Sequence, residues 1–289
     1  MKKSIFILAF AALFIQSCSS DDNASETITN SETEQKTSAN VTLTNTGTFG
    51  DILTDESGKT LYFFSNDAKD NSTCTSGCLS AWPVFYQETI KTDDDLDTSD
   101  FATITRPDGK KQTTYKGWPL YYYVNDTQTG DIKGDGVGEI WYVAKPDYSL
   151  MFVNSQLVGA DGKNYIINSD NEYVEGEGLT KYLTDNAGNT LYAFSPDKKD
   201  TNTYTSEDLS NDAAWPIFNI NPENVPSILN RSDFNTISVH NKSEQLTYKG
   251  WPLYYFGGDS TKGDNKGVSV PVPGIWPIVN NNSIEAPKN

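Results

Sequence analysis

The stretch Thr114-Tyr-Lys-Gly-Trp-Pro-Leu-Tyr-Tyr122 returns almost unchanged as Thr247-Tyr-Lys-Gly-Trp-Pro-Leu-Tyr-Tyr255. A segment kept twice in one polypeptide is a structural unit used twice, and finding it comes before any search for motifs. The recurrence spreads outward on both sides. Leu53-Thr-Asp55, Gly58 and Thr60-Leu-Tyr62 reappear as Leu183-Thr-Asp185, Gly188 and Thr190-Leu-Tyr192, and Ala81-Trp-Pro83 as Ala214-Trp-Pro216. Phe101-Ala-Thr-Ile104 matches Phe234-Asn-Thr-Ile237, and Gly138-Glu-Ile-Trp141 matches Gly274-Ile-Trp276. Two tandem modules of roughly a hundred residues each follow, an ordinary domain size.

A shorter pattern recurs inside each module. Tyr62-x-Phe64-x-x-Asp67 and Tyr121-x-Tyr123-x-x-Asp126 lie in the first, Tyr192-x-Phe194-x-x-Asp197 and Tyr254-x-Phe256-x-x-Asp259 in the second. A tyrosine and an aromatic two apart share one face of a strand. The aspartate then falls where the strand runs out, and its carboxylate can accept backbone N–H groups in a turn. Two readings stay open: aromatics in the core with a turn-pinning aspartate, or carboxylates converging on a ligand. The second includes an acid–base enzyme, which needs two motif aspartates facing one cleft.

These four motifs, the Cys74–Pro83 segment and the Tyr-Lys-Gly-Trp-Pro-Leu-Tyr strands resemble the secreted-repeat lipoproteins defined by a Tyr-x-(Phe/Trp)-x-x-Asp motif, a bacterial family of unknown function. The resemblance covers roughly residues 50–145 and 180–280. It implies an exported protein and carries no activity with it.

No helical periodicity runs through the chain. Short alternating runs are separated by Gly, Asn, Asp and Pro, which predicts an all-β fold of two tandem antiparallel modules. Residues 41–145 form the first module, 146–180 a connecting hairpin, 181–280 the second module and 281–289 a tail. Hairpins are expected around Asp55–Gly58, around Arg106–Gly109 between Phe101–Thr105 and Lys111–Tyr115, and around Gly159–Gly162. A further strand is expected over Trp118–Val124.

Residues 1–17 read as an export signal: Lys2 and Lys3 supply the charged region, and Ile5–Ile15 is too short to span a bilayer permanently. Ser17-Cys18 resembles a lipobox, so Cys18 is the expected lipidation site, anchoring the chain to a membrane it does not span. Residues 18–40 carry almost no apolar side chains and read as a tether that cannot offset its ordering entropy. Within it, Ser19-Ser-Asp-Asp22 reads either as a surface-export signal of the Bacteroidetes type or as a plain spacer. The expected location is the outer membrane, exposed at the cell surface.

The formal charge of −17 argues against nucleic acid, which needs a basic face. Cys74 and Cys78 are the only cysteines after Cys18, and module two carries Tyr204 and Asp208 in their place. In an oxidising compartment a disulfide is the default. The alternative, a metal or redox thiol pair, lacks a nearby histidine, and His240, the only histidine in the chain, reads as a loop residue. Asp131, Asp135 and Glu139 sit in a glycine-rich loop that could wrap a calcium ion or simply turn the chain. Trp118 and Trp251 head equivalent strands, either as core or as flat platforms for ring-bearing ligands. The expectation is a non-catalytic binding or scaffold module of the cell envelope, with no cofactor, whose partner is an envelope protein or a glycan. The alternative is an accessory redox or metal-handling lipoprotein.

Overall fold

The structure, a computed structural model, describes residues 39–67 and 71–288. Cys18, the export signal and Ser19–Asp22 lie outside the described residues. In module one the strands are β1 (Val41–Asn45), β2 (Asp51–Asp55), β3 (Tyr62–Phe64), β4 (Phe101–Thr105), β5 (Lys111–Tyr115), β6 (Trp118–Pro119) and β7 (Trp141–Val143). They are followed by β8 (Leu150–Val158), β9 (Asn164–Ile167), β10 (Tyr173–Glu175), β11 (Leu179–Asp185), β12 (Phe234–Val239), β13 (Ser243–Tyr248) and β14 (Trp251–Pro252). Every ladder between these strands is antiparallel. The one α-helix among the described residues, α1 (Gly77–Ala81), is a single short turn before Trp82. The fold is all-β, built from repeated modules.

The duplication is plain in the register. The β4–β5–β6 sheet places Phe101 opposite Tyr115 and Thr114 opposite Pro119; β12–β13–β14 places Phe234 opposite Tyr248 and Thr247 opposite Pro252. Proline fits there because β6 and β14 are edge strands, where a missing N–H costs no ladder bond. The hairpin around Arg106–Gly109 has the strand limits that alternation predicts.

The expected Asp55–Gly58 hairpin forms, closed by Asp55 N–H to Lys59 O at 2.9 Å and continued by the Thr54–Thr60 bridge and Leu61 N–H to Leu53 O at 3.0 Å, and β2 pairs with β1 as well. β3 leaves that turn and pairs with β7, because Tyr62 is drawn onto Tyr121 across the module. The expected strand over Trp118–Val124 is a ladder only at Trp118–Pro119. Beyond it the backbone changes partner at almost every residue: Leu120 N–H bonds Thr113 O, Tyr121 bonds Tyr62, Tyr122 bonds Pro83 O and Val124 bonds Ala81 O.

The segment between the modules is built into the second one. β8 pairs along its length with β11, Leu150 opposite Asp185, and its far end pairs with β9, giving a sheet ordered β10-β9-β8-β11. β8 also faces module one: Asn154 N–H donates to Ser65 O at 2.9 Å, and Phe152 stacks on Tyr142 with ring centroids 5.9 Å apart. Val41, Phe63, Trp118, Met151, Tyr182 and Trp215 belong to one continuous buried cluster, so the hydrophobic core runs through both modules.

Candidate functional site

The four motifs come together in pairs, one pair per module. Tyr62 and Tyr121 face each other as an antiparallel bridge, exchanging N–H to O bonds of 2.8 and 3.0 Å. Tyr192 and Tyr254 do the same at 2.9 Å in both directions. From that crossing each side chain reaches over to the other motif. Tyr62 Oη donates to Asp126 Oδ2 and Tyr121 Oη to Asp67 Oδ2, both at 2.6 Å. In module two Tyr192 donates to Asp259 at 2.7 Å and Tyr254 to Asp197 at 2.8 Å. Each module therefore has a local two-fold centre with two crossed tyrosine–aspartate pairs.

The second oxygen of each carboxylate holds the loop that follows. Asp67 Oδ1 accepts Thr73 N–H at 2.6 Å and Thr73 Oγ1 at 2.9 Å, and Asp197 Oδ1 accepts both groups of Thr203 at 2.7 Å. Asp126 and Asp259 accept the N–H of Lys133 and Lys266, both at 2.9 Å. The expected turn-pinning role is thus present, over a span of six or seven residues. Burial pushes Asp67 and Asp259 each up to about 6, against the opposing pull of their hydrogen bonds. Asp126 and Asp197 are raised by the same cause. The four motif tyrosines are raised too, by burial first and by the neighbouring carboxylates next. These hydroxyls stay protonated and act as donors.

The third motif position serves a ladder of rings. Trp82 and Trp141 stack at 3.8 Å with planes 3° apart, capped by Phe64 on Trp141 at 4.0 Å and by Tyr123 on Trp82 at 4.2 Å. Trp215 and Trp276 stack at 3.7 Å, capped by Phe194 at 4.4 Å and Phe256 at 4.5 Å. Glycine is required beside this ladder. A Cβ on Gly134 would come within 2.8 Å of Tyr62 and 2.9 Å of Trp82, and one on Gly267 within 2.8 Å of Tyr192 and Trp215. The N–H groups of the same two glycines donate to Tyr62 Oη and Tyr192 Oη at 3.2 Å.

The remaining candidates are scattered. Asp131 Oδ2 accepts Thr127 N–H at 2.9 Å, Gln128 N–H at 3.0 Å and Lys133 Nζ at 2.8 Å; Asp135 accepts Val143 N–H at 2.9 Å; Glu139 pairs with Lys181 at 2.5 Å. The loop does not bring these three carboxylates together. Among the described residues no cluster of three or more His, Cys, Asp or Glu is arranged to hold a metal ion. Cys74 and Cys78 form a disulfide, with Cys74 buried. His240 is exposed and its Nε2 lies 2.8 Å from Thr205 O.

Sequence reasoning missed Arg106. It opens a turn in the sequence, yet it is 2% exposed, its Nη1 donating to Gln112 Oε1 and its Nη2 to Cys74 O, both at 2.6 Å, with Ser72 Oγ also in contact with Nη1. Nothing at its position announces burial. A groove of about 450 Å³ was also missed; it lies in module two between Trp251, Tyr173, Ile278 and residues 280–284.

An all-β scaffold of paired half-repeats, each with one tyrosine, one aspartate and one tryptophan in fixed roles, is the class that this geometry defines. A family model described as a secreted repeat of unknown function matches residues 43–86, 102–145 and 235–280, and the chain carries repeats of that family. Each match covers one half-repeat, with its motif or strands leading towards its tryptophan. No curated protein and no solved structure matches the chain. Among the described residues no helix is long and apolar enough to cross a membrane.

Proposed function

We propose that this protein is a non-catalytic binding module of the bacterial cell envelope, lipidated at Cys18 and displayed on the outer surface by the tether of residues 18–40. The secreted-repeat family supports export, and Ser17-Cys18 followed by an acidic tether supports anchoring. The observation that carries the non-catalytic reading is the commitment of all four motif carboxylates to a tyrosine hydroxyl and a loop N–H. A general acid or base needs a proton path to a substrate. Asp67 and Asp197 have no exposed surface at all.

Intact mass of protein from its native membranes, with Cys18→Ala as control, tests the anchor. Acylation at Cys18 is expected, together with release of the variant into the soluble fraction. An unmodified Cys18, or a variant that stays in the membrane, would remove the anchor. Turnover of any substrate by purified protein, lost on changing one polar residue, would remove the non-catalytic reading.

A further inference from the structure

The two strand-heading tryptophans, equivalent in sequence, meet different surroundings. Trp118 is 1% exposed; its indole N–H donates to Asn186 O of module two at 3.0 Å, and Lys262 Nζ sits 3.7 Å from the ring centroid. Trp251 meets no module in the position that module two takes over Trp118 among the described residues. Instead its indole N–H donates to Ile284 O at 2.8 Å, and Lys249 Nζ holds the same segment through Asn281 O at 2.8 Å and Ser283 O at 3.0 Å. The carboxy-terminal segment thus satisfies the polar edge of Trp251 and leaves the ring partly open. The space beside it is the 450 Å³ groove. That size lies within the usual range for small-molecule sites, roughly 300–1,000 Å³.

The lining has one chemical character. Trp251 and Tyr173 supply aromatic rings, Leu179 and Ile284 are apolar and exposed at 61% and 71%, and Asn171 and Asn282 supply neutral amides that both donate and accept, the amide of Asn168 being held by Glu172 and its own turn. Lys181 is the only charged lining residue, and Glu139 already takes its ammonium at 2.5 Å. A ligand that suits this surface is uncharged, has a flat face of weakly positive C–H groups for the aromatic rings, and has many hydroxyls for the amides. An anionic ligand would also work against the chain's formal charge of −17.

We propose that the Trp251 groove binds a neutral glycan. The proposal rests on the binding-module reading and adds to it a place and a ligand class. Trp118, being buried at the seam between modules, takes no part, so one site per chain is expected.

The test uses the full chain, titrated with xylohexaose, mannohexaose and chitohexaose, and with hexagalacturonate as the anionic comparison. Binding is followed by calorimetry and tryptophan fluorescence. At least one neutral probe should bind with one site per chain and shift the fluorescence, and hexagalacturonate should not. Ile284→Arg places a bulky charge at an exposed lip without touching the core, and should weaken binding by about tenfold or more. Trp251→Ala should abolish the fluorescence shift. Absence of binding by every neutral probe overturns the proposal, as does binding left unchanged by Ile284→Arg, or hexagalacturonate bound as well as the neutral probes. Mass analysis of the recovered probe separates the two claims. A probe bound in the groove but cleaved refutes the non-catalytic reading and keeps the site, whereas unbound probes with an acylated Cys18 refute the site and leave the anchored module standing.

Discussion

Modules one and two keep the same crossed pairs and the same tryptophan ladder, but they close the loop after the first motif by different chemistry. In module one the loop is tied by the Cys74–Cys78 disulfide and by the buried guanidinium of Arg106 on Cys74 O. In module two Val239 stands at the register position of Arg106, and Tyr204 replaces Cys74, packing edge-on against Trp276 at 4.8 Å. Asn202 Nδ2 bonds Gln245 Oε1 at 2.7 Å, and His240 meets Thr205 O at 2.8 Å, closing the same loop without a covalent bond. What both modules require is the two-fold crossing. The loop lock is interchangeable, provided the buried carbonyls and the aspartate remain satisfied. The half-repeat left unmatched by the family model is the one with the substituted loop, where Trp215 follows its motif tyrosine by 23 residues, against 20 for Trp82 and Trp141.

This comparison can be broken at several points. Removing a ladder ring should cost most: Trp141→Ala and Trp276→Ala should each lose about 3–5 kcal/mol in denaturant unfolding, the range for deleting a buried aromatic. Trp276→Ala should be the worse of the two, because Tyr204 rests on that ring in addition to Phe194, whereas Trp141 carries the equivalent Phe64 and no counterpart of Tyr204. Arg106→Met should cost about 3 kcal/mol, since it strips donors from the buried Cys74 carbonyl and Gln112. Its counterpart Val239→Ala should cost only about 1–2 kcal/mol, a hydrophobic truncation. Cys74→Ser with Cys78→Ser should cost about 2 kcal/mol, the loop-closure value for so short a ring, and the groove of module two should bind its probes as before.

The smallest effect is that of pH, and its sign is set by the raised aspartates. Asp67 and Asp259, raised to about 6 in the folded chain, take up protons there before the unfolded chain does. Their ionisation therefore costs stability as pH rises through 4 to about 6, and is harmless below the unfolded value. Other carboxylates are held low and act in the opposite sense. Asp55 is one, where hydrogen bonds from Ser57, Lys59 and Tyr122 outweigh the effect of burial, and their stabilisation is lost only as pH falls below the ordinary carboxylate range. Urea midpoints should rise modestly from pH 7 to pH 5 and fall again below pH 4. A midpoint that drops steadily from pH 7 to pH 5 would mean that the motif carboxylates are stabilised as charges.

Much of the scaffold was legible in the sequence for a physical reason. Strand alternation and the Arg106–Gly109 turn are local, and they give the limits of β4 and β5. Of the two readings left open for the aromatic–x–aromatic spacing, the burial of Tyr62 and Phe64 fits aromatics in the core. The crossing of the motifs was not legible, because all four carry the same residues and nothing local distinguishes a tyrosine's own aspartate from the one 54 or 64 positions away. A signal did exist: a tryptophan falls about twenty residues after each motif tyrosine, which marks four half-repeats rather than two modules. Gly134 belongs to a loop that reads as a turn or a calcium wrap, whereas it and Gly267 serve the close approach of the backbone to Tyr62 and Tyr192. The groove was out of reach of sequence reasoning, since its walls come from stretches far apart in the chain, around residues 167–181, Trp251 and 277–284.

The central claim is that each motif tyrosine works with the aspartate of the opposite motif. A double-mutant cycle between Tyr121→Phe and Asp67→Asn measures this directly, with Tyr121→Phe and Asp126→Asn as the comparison, since those two belong to one motif five residues apart. The structure predicts a coupling of about 1.5–3 kcal/mol for Tyr121 with Asp67, the size of a buried hydrogen bond to a charged group, and near-additivity for Tyr121 with Asp126. Coupling within the motif and additivity across it would contradict the account.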